Sequence, residues 1–403
     1  MSQVLPPLSL YVHLPWCVKK CPYCDFNSHT GQEIPEAAYL AQLKQDLLAD
    51  KVYAEGRALR SIFFGGGTPS LMSTGFYQDL LQFVRQHLKI KPDTEITLEA
   101  NPGTTEAAKF AGYREAGINR LSLGVQSFQP AYLEKLGRIH SGADAIRAVE
   151  QAQQAGFDNF NLDLMHGLPG QDVSAALADL QQAIELAPTH LSWYQLTIEQ
   201  NTEFYRHPPV LPEDEALWEI QQAGVSLLQD AGFFQYEVSA YARPGRQAQH
   251  NLNYWEFGDY LGIGAGAHGK VTQIIDDQLR IQRYRKTRLP KDYLNASYNL
   301  QPQPSLRIGE EIIVPQDLPF EFMMNALRLT SGVPERLFQQ RTSLSLSGIA
   351  PVLAKLRKQG LMQEAKLATT EKGLLFLNDV LAEFAEIGTE FERLGSDPLR
   401  GKG

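Results

Sequence analysis

Cysteine is scarce in this chain of 403 residues. There are three, Cys17, Cys21 and Cys24, all within one stretch of eight positions. A disulfide scaffold needs pairs spread along the sequence, so that class is excluded. The placement points instead to a reducing compartment and one local thiolate site. Long hydrophobic runs are also missing, and none reaches the roughly 18 residues of a membrane-spanning helix. The first residues lack a basic segment followed by an apolar core. The first lysine is Lys19, and Pro6, Pro7 and Pro15 interrupt the apolar stretch. No secretory signal is read there, and the expected location is the cytoplasm. Positive charge is not in excess: 37 Lys and Arg against 46 Asp and Glu leave −9. That balance argues against a whole-chain nucleic-acid binder. There are no solenoid-length repeats.

What is present is alternation. Short apolar runs at Leu8–His13, Ser61–Phe64, Glu95–Ala100, Arg120–Val125, Phe160–Leu164 and His190–Leu196 have the composition of buried strands. Helical patterns lie between them, such as Leu43 and Leu47, or Leu177, Leu180 and Ile184. Several end in an Ala-Gly step, at Gly117, Gly156 and Gly232, where glycine permits a left-handed cap. Strand–helix alternation implies parallel strands with helical crossovers. Six units fit where a full barrel needs eight, so the expectation is an α/β fold with an incomplete (β/α)6 TIM-like barrel over residues 1–240.

Residues 241–310 change character, rich first in Gly and aromatics and then basic. They are expected to connect the barrel to a small winged-helix-like α domain at 311–390, followed by a flexible tail at 391–403. Residues 317–380 carry eight basic and six acidic side chains. No nucleic-acid partner is expected from that balance, so the winged shape reads as packing or partner contact.

Parallel α/β sheets place their chemistry at the C-terminal ends of the strands. Polar residues gather there: Gly65-Gly66-Gly67-Thr68, Glu99-Ala100-Asn101, Gln126 and Asp163. The motif Cys17-x-x-x-Cys21-x-x-Cys24 follows the first strand. Three thiolates on a tight loop can hold three irons of a [4Fe–4S] cluster and leave the fourth open. The alternative is zinc, with His13 or His29 as fourth ligand, in a metal-stabilised interaction module.

The cysteine motif after a first strand, with Gly-Gly-Gly-Thr-Pro after the second, resembles the radical S-adenosylmethionine (SAM) superfamily. Tyr11-Val12-His13-Leu14-Pro15-Trp16-Cys17, Asn101-Pro102-Gly103, Gly124–Phe128 and Asn161–Gly170 narrow the likeness to the oxygen-independent coproporphyrinogen III oxidase group. The resemblance covers most of the chain. It implies a [4Fe–4S] cluster on Cys17, Cys21 and Cys24 with SAM at the open iron. It implies SAM contacts from Tyr11, Tyr23, Gly66, Gly67, Thr68, Glu99, Gln126, Arg138 and Asp163. In physical terms, N–H groups of the Gly66–Thr68 turn can meet the SAM carboxylate, and Arg138 can pair with a carboxylate. Glu99 and Asp163 are acceptors suited to ribose hydroxyls or the sulfonium region.

The oxidases of that group carry a further cysteine two positions after the third, where this chain has Phe26, and a longer N-terminal extension. Both departures put propionate decarboxylation in doubt, and the same Phe is a mark of a heme-chaperone branch that this chain resembles. A second segment, His250-Asn251-Leu252-Asn253-Tyr254-Trp255, resembles the HNxxYW sequence associated with heme binding in that branch. It marks His250 as a candidate iron ligand. Arg283, Arg285, Lys286 and Arg288 are candidates for heme propionates. The expectation is a carrier that binds heme as cargo and delivers it to acceptor hemoproteins, with a homodimer left open. The alternative is an enzyme that converts coproporphyrinogen III to protoporphyrinogen IX.

Overall fold

Strands buried on both faces need apolar side chains on both, and the six apolar runs supply them. In the computed structural model, which describes residues 4–30, 33–276, 278–296 and 306–385, all six runs are strands. They are β1 (Leu8–Leu14), β2 (Ala58–Gly66), β3 (Lys89–Ala100), β4 (Arg120–Gln126), β5 (Phe160–His166) and β6 (His190–Gln195). Each pairs in parallel with the next. Crossover helices cover the outer face. They include Glu36–Asp50, Thr74–His87, Gly142–Gln154 and Val173–Glu185. Ser73, Ser141 and Asp172 accept backbone N–H bonds at the starts of the last three, as N-caps do. Gly117, Gly156 and Gly232 take the left-handed conformation expected of helix stops.

The segment expected as a connector is sheet. β7 (Phe234–Glu237) and β8 (Ala240–Ala242) add antiparallel strands beyond β6. On the other side β9 (Asp259–Ile263) pairs in parallel with β1. There β10 (His268–Ile275), β11 (Gln278–Lys286) and β12 (Arg307–Ile312) continue antiparallel. The result is one sheet of twelve strands with seven parallel strands at its centre. The Gly-rich pattern hid this because its glycines serve close approach. A Cβ at Gly262 would sit 1.8 Å from the His268 carbonyl oxygen, and one at Gly269 would strike the Tyr284 ring.

The C-terminal region is helical as expected, with helices Leu318–Ala326, Glu335–Thr342, Ala350–Lys358 and Glu371–Leu375. A small wing is formed by the bridges Val333–Leu367 and Met362–Thr369. Its core takes in Tyr236, Ala240 and Ala242 from one end of the sheet and Phe257 and Ile281 from the other. The region therefore packs against both ends of the sheet. The tail at 391–403 lies outside the described residues. Among the described residues no helix is long and apolar enough to cross a membrane.

Two of the four cations expected to meet propionates are used internally. Arg283 forms a forked pair with Glu321, 2.7 Å on one arm. Lys286 is buried against Asp46 and Asp50, whose carboxylates also take Tyr293 Oη, the Gly264 N–H and Arg307. This network ties the Glu36–Asp50 helix to β11 and β12. Removing one partner of a buried pair strands the other charge. Lys286→Met is therefore expected to lose about 3–5 kcal/mol in denaturant titrations, whereas Arg285→Met, at an exposed position on the same strand, changes stability little.

Candidate functional site

β1 ends at Leu14 and the chain turns into the cysteine loop. That loop is pinned by backbone bonds: Cys17 N–H donates to His29 O at 2.9 Å and His29 N–H to Pro15 O at 2.7 Å. Beneath it lies the turn after β2. Gly67 N–H donates to Leu14 O and Thr68 N–H to Trp16 O, each at 2.7 Å, and Gly66 N–H donates to Glu99 Oε2 at 3.2 Å. All three amides expected to greet a ligand carboxylate are thus already engaged. The glycines serve a different need. A Cβ at Gly67 would lie 2.5 Å from Trp16 O, and one at Gly66 would lie 2.7 Å from the His13 ring. They let the second strand's turn press against the cysteine loop.

A chain of polar contacts links two of the cysteines. Thr68 Oγ1 donates to Cys17 Sγ at 3.4 Å and accepts from Asn101 Nδ2 at 3.1 Å. Asn101 Oδ1 accepts from Arg138 Nη2 at 2.7 Å, and Arg138 Nη1 points to Cys21 Sγ at 3.7 Å. Arg138 also donates to Gly124 O at 2.5 Å. Tyr23 packs near Phe204 with Cys21 and Arg138 close by. Burial pushes the Cys17 and Cys24 thiols up, and the Thr68 hydrogen bond pulls Cys17 the other way. Thiols must lose their protons to bind metal, so donors aimed at sulfur fit a thiolate site.

These residues fit a cluster. Each cysteine of a [4Fe–4S] cluster holds its own iron, so three thiols need not converge on one point. The zinc alternative loses His13. Its Nδ1 is bonded to Tyr11 Oη at 2.9 Å and its Nε2 to Asn27 O at 2.8 Å.

The inner wall carries the remaining expected residues. Gln126 is left-handed at φ 69°, and its Oε1 accepts from Tyr194 Oη at 2.8 Å. Asp163 accepts from Ser122 and Asn161, and burial raises its pKa above the usual carboxylate range. Glu99 is pushed up to about 8, first by burial and then by Asp163, against the Gly66 N–H. A cavity of about 380 Å³ opens here. Tyr11, His13, Gly66 and Glu99 line one side, Asp25, Phe26 and Asn27 the loop side, and Tyr254, Tyr260, His268 and Arg288 the far side.

His250 is not in that lining. It lies on the short helix Gln249–Trp255, which plugs the interior with Glu95 accepting the Gln249 and His250 N–H groups. Its ring stacks on Phe63 at 4.2 Å and on Tyr11 at 6.2 Å, and stands edge-on to Tyr254 at 4.7 Å. Burial pushes it down to about 3, so it is neutral, and its buried Nδ1 has no hydrogen-bond partner among the described residues. Asn101, Tyr194, Asn27, Tyr260 and His268 were not among the expected site residues. Asn101 had a signal, its place at a polar strand end. Tyr260 and His268 had none, because nothing in their pattern placed β9 beside β1.

The radical SAM superfamily pattern matches residues 11–183, and the HemN C-terminal domain matches residues 313–376. The chain is 53% identical over 383 residues to the heme chaperone HemW of Escherichia coli, covering 94% of this chain and 98% of that one. It belongs to the heme chaperone HemW family. The heme chaperone HemW of Bacillus subtilis is 34% identical over 389 residues, covering 93% and 98%. Among solved structures the coproporphyrinogen III oxidase HemN of Escherichia coli, a radical SAM enzyme, is similar with a TM-score of 0.77. It is 23% identical, covering 94% of this chain and 90% of that one, a likeness of fold alone. The expected α/β radical SAM fold and the family are thus borne out. The incomplete barrel is one part of a longer mixed sheet.

Two outcomes test the site. Gly67→Ala must push the cysteine loop off the β2 turn, and such overpacking costs about 1–3 kcal/mol. Iron and sulfide retained after anaerobic reconstitution should fall, while Gly75→Ala, where a Cβ meets nothing within 4 Å, retains both. Glu99 gives a pH signature. In the unfolded chain it ionises near its ordinary 4.5, but in the folded one near 8. The folded state holds the extra proton between those values, so stability falls as pH rises through that window. Glu99→Gln should flatten that slope in thermal melts from pH 5 to 8; an unchanged slope assigns it to other groups.

Proposed function

We propose that this protein is a heme chaperone, binding heme and passing it to acceptor hemoproteins. The observation that carries the reading is the full-length identity to HemW proteins. The site supports it: position 26 presents an exposed phenylalanine to the cavity where the oxidase pattern has a cysteine.

Cys17, Cys21 and Cys24 would hold a [4Fe–4S] cluster, which supplies a site-differentiated iron able to take the amino and carboxylate groups of SAM. The chain's own contribution is orientation. Thr68 and Arg138 direct donors at Cys17 and Cys21. Glu99 and Asp163 are half-buried acceptors on the wall below, able to meet hydroxyl or cationic groups. Tyr11, Tyr23, Gly66, Gly67 and Gln126 complete the proposed SAM surroundings, the glycines by allowing close packing. His250 is proposed as the heme ligand on its neutral imidazole and orphaned Nδ1. Reaching it requires Tyr254 or Phe63 to move, since both rings cover it.

The test is anaerobic purification, metal analysis and heme titration. About four irons per chain are expected, and the triple Cys→Ser variant should hold none. Heme should give a retained Soret band and should leave the protein when an apo-hemoprotein is added. Absence of a retained band, with or without the reconstituted cluster, refutes the carrier reading. His250→Ala, checked for folding by its melt, should shift the heme spectrum; an unchanged spectrum moves the ligand elsewhere.

A further inference from the structure

The cavity beside the cysteine loop has two chemically different walls. One is the inner wall of the barrel, with Tyr11, Gly66 and Glu99. The other comes from β9, β10 and the end of β11, with Tyr260, His268 and Arg288, beside Tyr254. Aromatic side chains flank this second wall. Tyr254 and Tyr260 pack at 4.4 Å between ring centres, and Phe26 is 61% exposed on the loop opposite. A side chain as apolar as phenylalanine, left that open at a cavity, offers a face to a flat apolar ligand.

Of the four basic residues that sequence spacing grouped together, Arg288 is the one that lines the cavity. Arg283 and Lys286 are held in ion pairs, and Arg285 lies outside the lining. Among the described residues the Arg288 guanidinium is in no ion pair, and its side chain is exposed. What fixes Arg288 is its backbone: its carbonyl accepts from Asn27 Nδ2 at 2.9 Å. The backbone is thus held beside the cysteine loop while the charged head remains unpaired. His268 lies on the same wall, opposite Arg285 across the ladder. Burial, and then Arg285, Arg283 and Arg288, lower its basicity, so it stands as a neutral imidazole with N–H to give. The acids of the lining are Glu99, largely protonated at neutral pH, and Asp25 on the loop side.

We propose that this second wall is the cargo wall: Arg288, with His268 beside it, binds the carboxylates of heme, and Phe26, Tyr254 and Tyr260 hold its ring. The inference rests on the carrier reading and adds the residues that select a dicarboxylate tetrapyrrole. An unpaired guanidinium recognises carboxylates through two parallel N–H bonds. Lysine would offer a point charge and a poorer fit.

The experiment titrates the reconstituted full chain with heme and with heme dimethyl ester in one detergent-containing buffer, and with SAM separately. Wild type should prefer free heme to the ester. Arg288→Gln should weaken heme by about tenfold, the size of one charge-assisted contact, and leave ester and SAM binding unchanged. Arg288→Lys should restore part of the loss, and Arg288→Gln/His268→Ala should lose more than Arg288→Gln alone. Iron content and melting temperature serve as controls, since the Arg288 carbonyl contact survives any side-chain change. Equal binding of heme and ester by wild type, or an intact preference in Arg288→Gln, overturns the inference while leaving the carrier reading standing. So does loss of SAM binding with heme unaffected, which would assign Arg288 to the methionine carboxylate. A wild type that binds neither tetrapyrrole refutes the carrier reading itself.

Discussion

The rest of the site hangs on the close contact between the turn after β2 and the backbone entering the cysteine loop. Gly67 N–H and Thr68 N–H each give 2.7 Å bonds to that backbone, at Leu14 O and Trp16 O. No side chain fits between them, since a Cβ at Gly67 would stand 2.5 Å from the Trp16 oxygen. The turn therefore supports the loop as a shelf, and a thiolate site is built on backbone bonds rather than on the thiols themselves. Thr68 can reach Cys17 only because its own amide is fixed beneath Trp16. From Thr68 the chain of contacts runs through Asn101 to Arg138 and back to Cys21. The ends of strands far apart in sequence become one polar frame.

The parallel centre of the fold was legible because buried strands are apolar on both faces and crossover helices carry their own period. Leu8–Leu14 and Phe160–His166 announce themselves in this way. The antiparallel edges were not. β12, Arg-Ile-Gly-Glu-Glu-Ile, is exposed along nearly its whole length, and β9 is five residues interrupted by a glycine. Such strands are specified by their neighbours, and no periodicity records that Asp259 will lie beside Leu8. The same limit explains the basic run. Alternation along β11 sends Tyr284 and Lys286 to the buried side and Arg285 to solvent. A cluster of charges in sequence is thus divided by the pleat.

The site shows a similar split. The cysteines and the glycine turn were readable because their spacing encodes a local loop. The use of the glycine amides was not, for a turn that can receive a ligand and one that braces a loop have the same composition. Histidine misleads in the same way. His250 has a conspicuous sequence setting, yet its ring is stacked among Phe63, Tyr11 and Tyr254. His268 has no setting at all and lines the cavity. Exposure depends on which layer of the fold a residue joins, and layers are set by long-range packing.

That layering also bears on how one chain could hold two ligands. The barrel wall of the cavity carries Glu99 and Gly66, residues tied to the shelf below the cysteine loop. The opposite wall carries Arg288 and His268, borne by strands at the sheet's other edge. Between them lie Phe26 and Asn27, which belong to the loop itself, and Asn27 bonds both Ala265 and Arg288 carbonyls. Asn27 thus ties the cysteine loop to the segments that flank the edge strands. Backbone bonds pin the loop, and Asn27 joins it to the far wall. The parallel strands carry the cysteine loop, and the edge strands supply the opposite wall of the cavity.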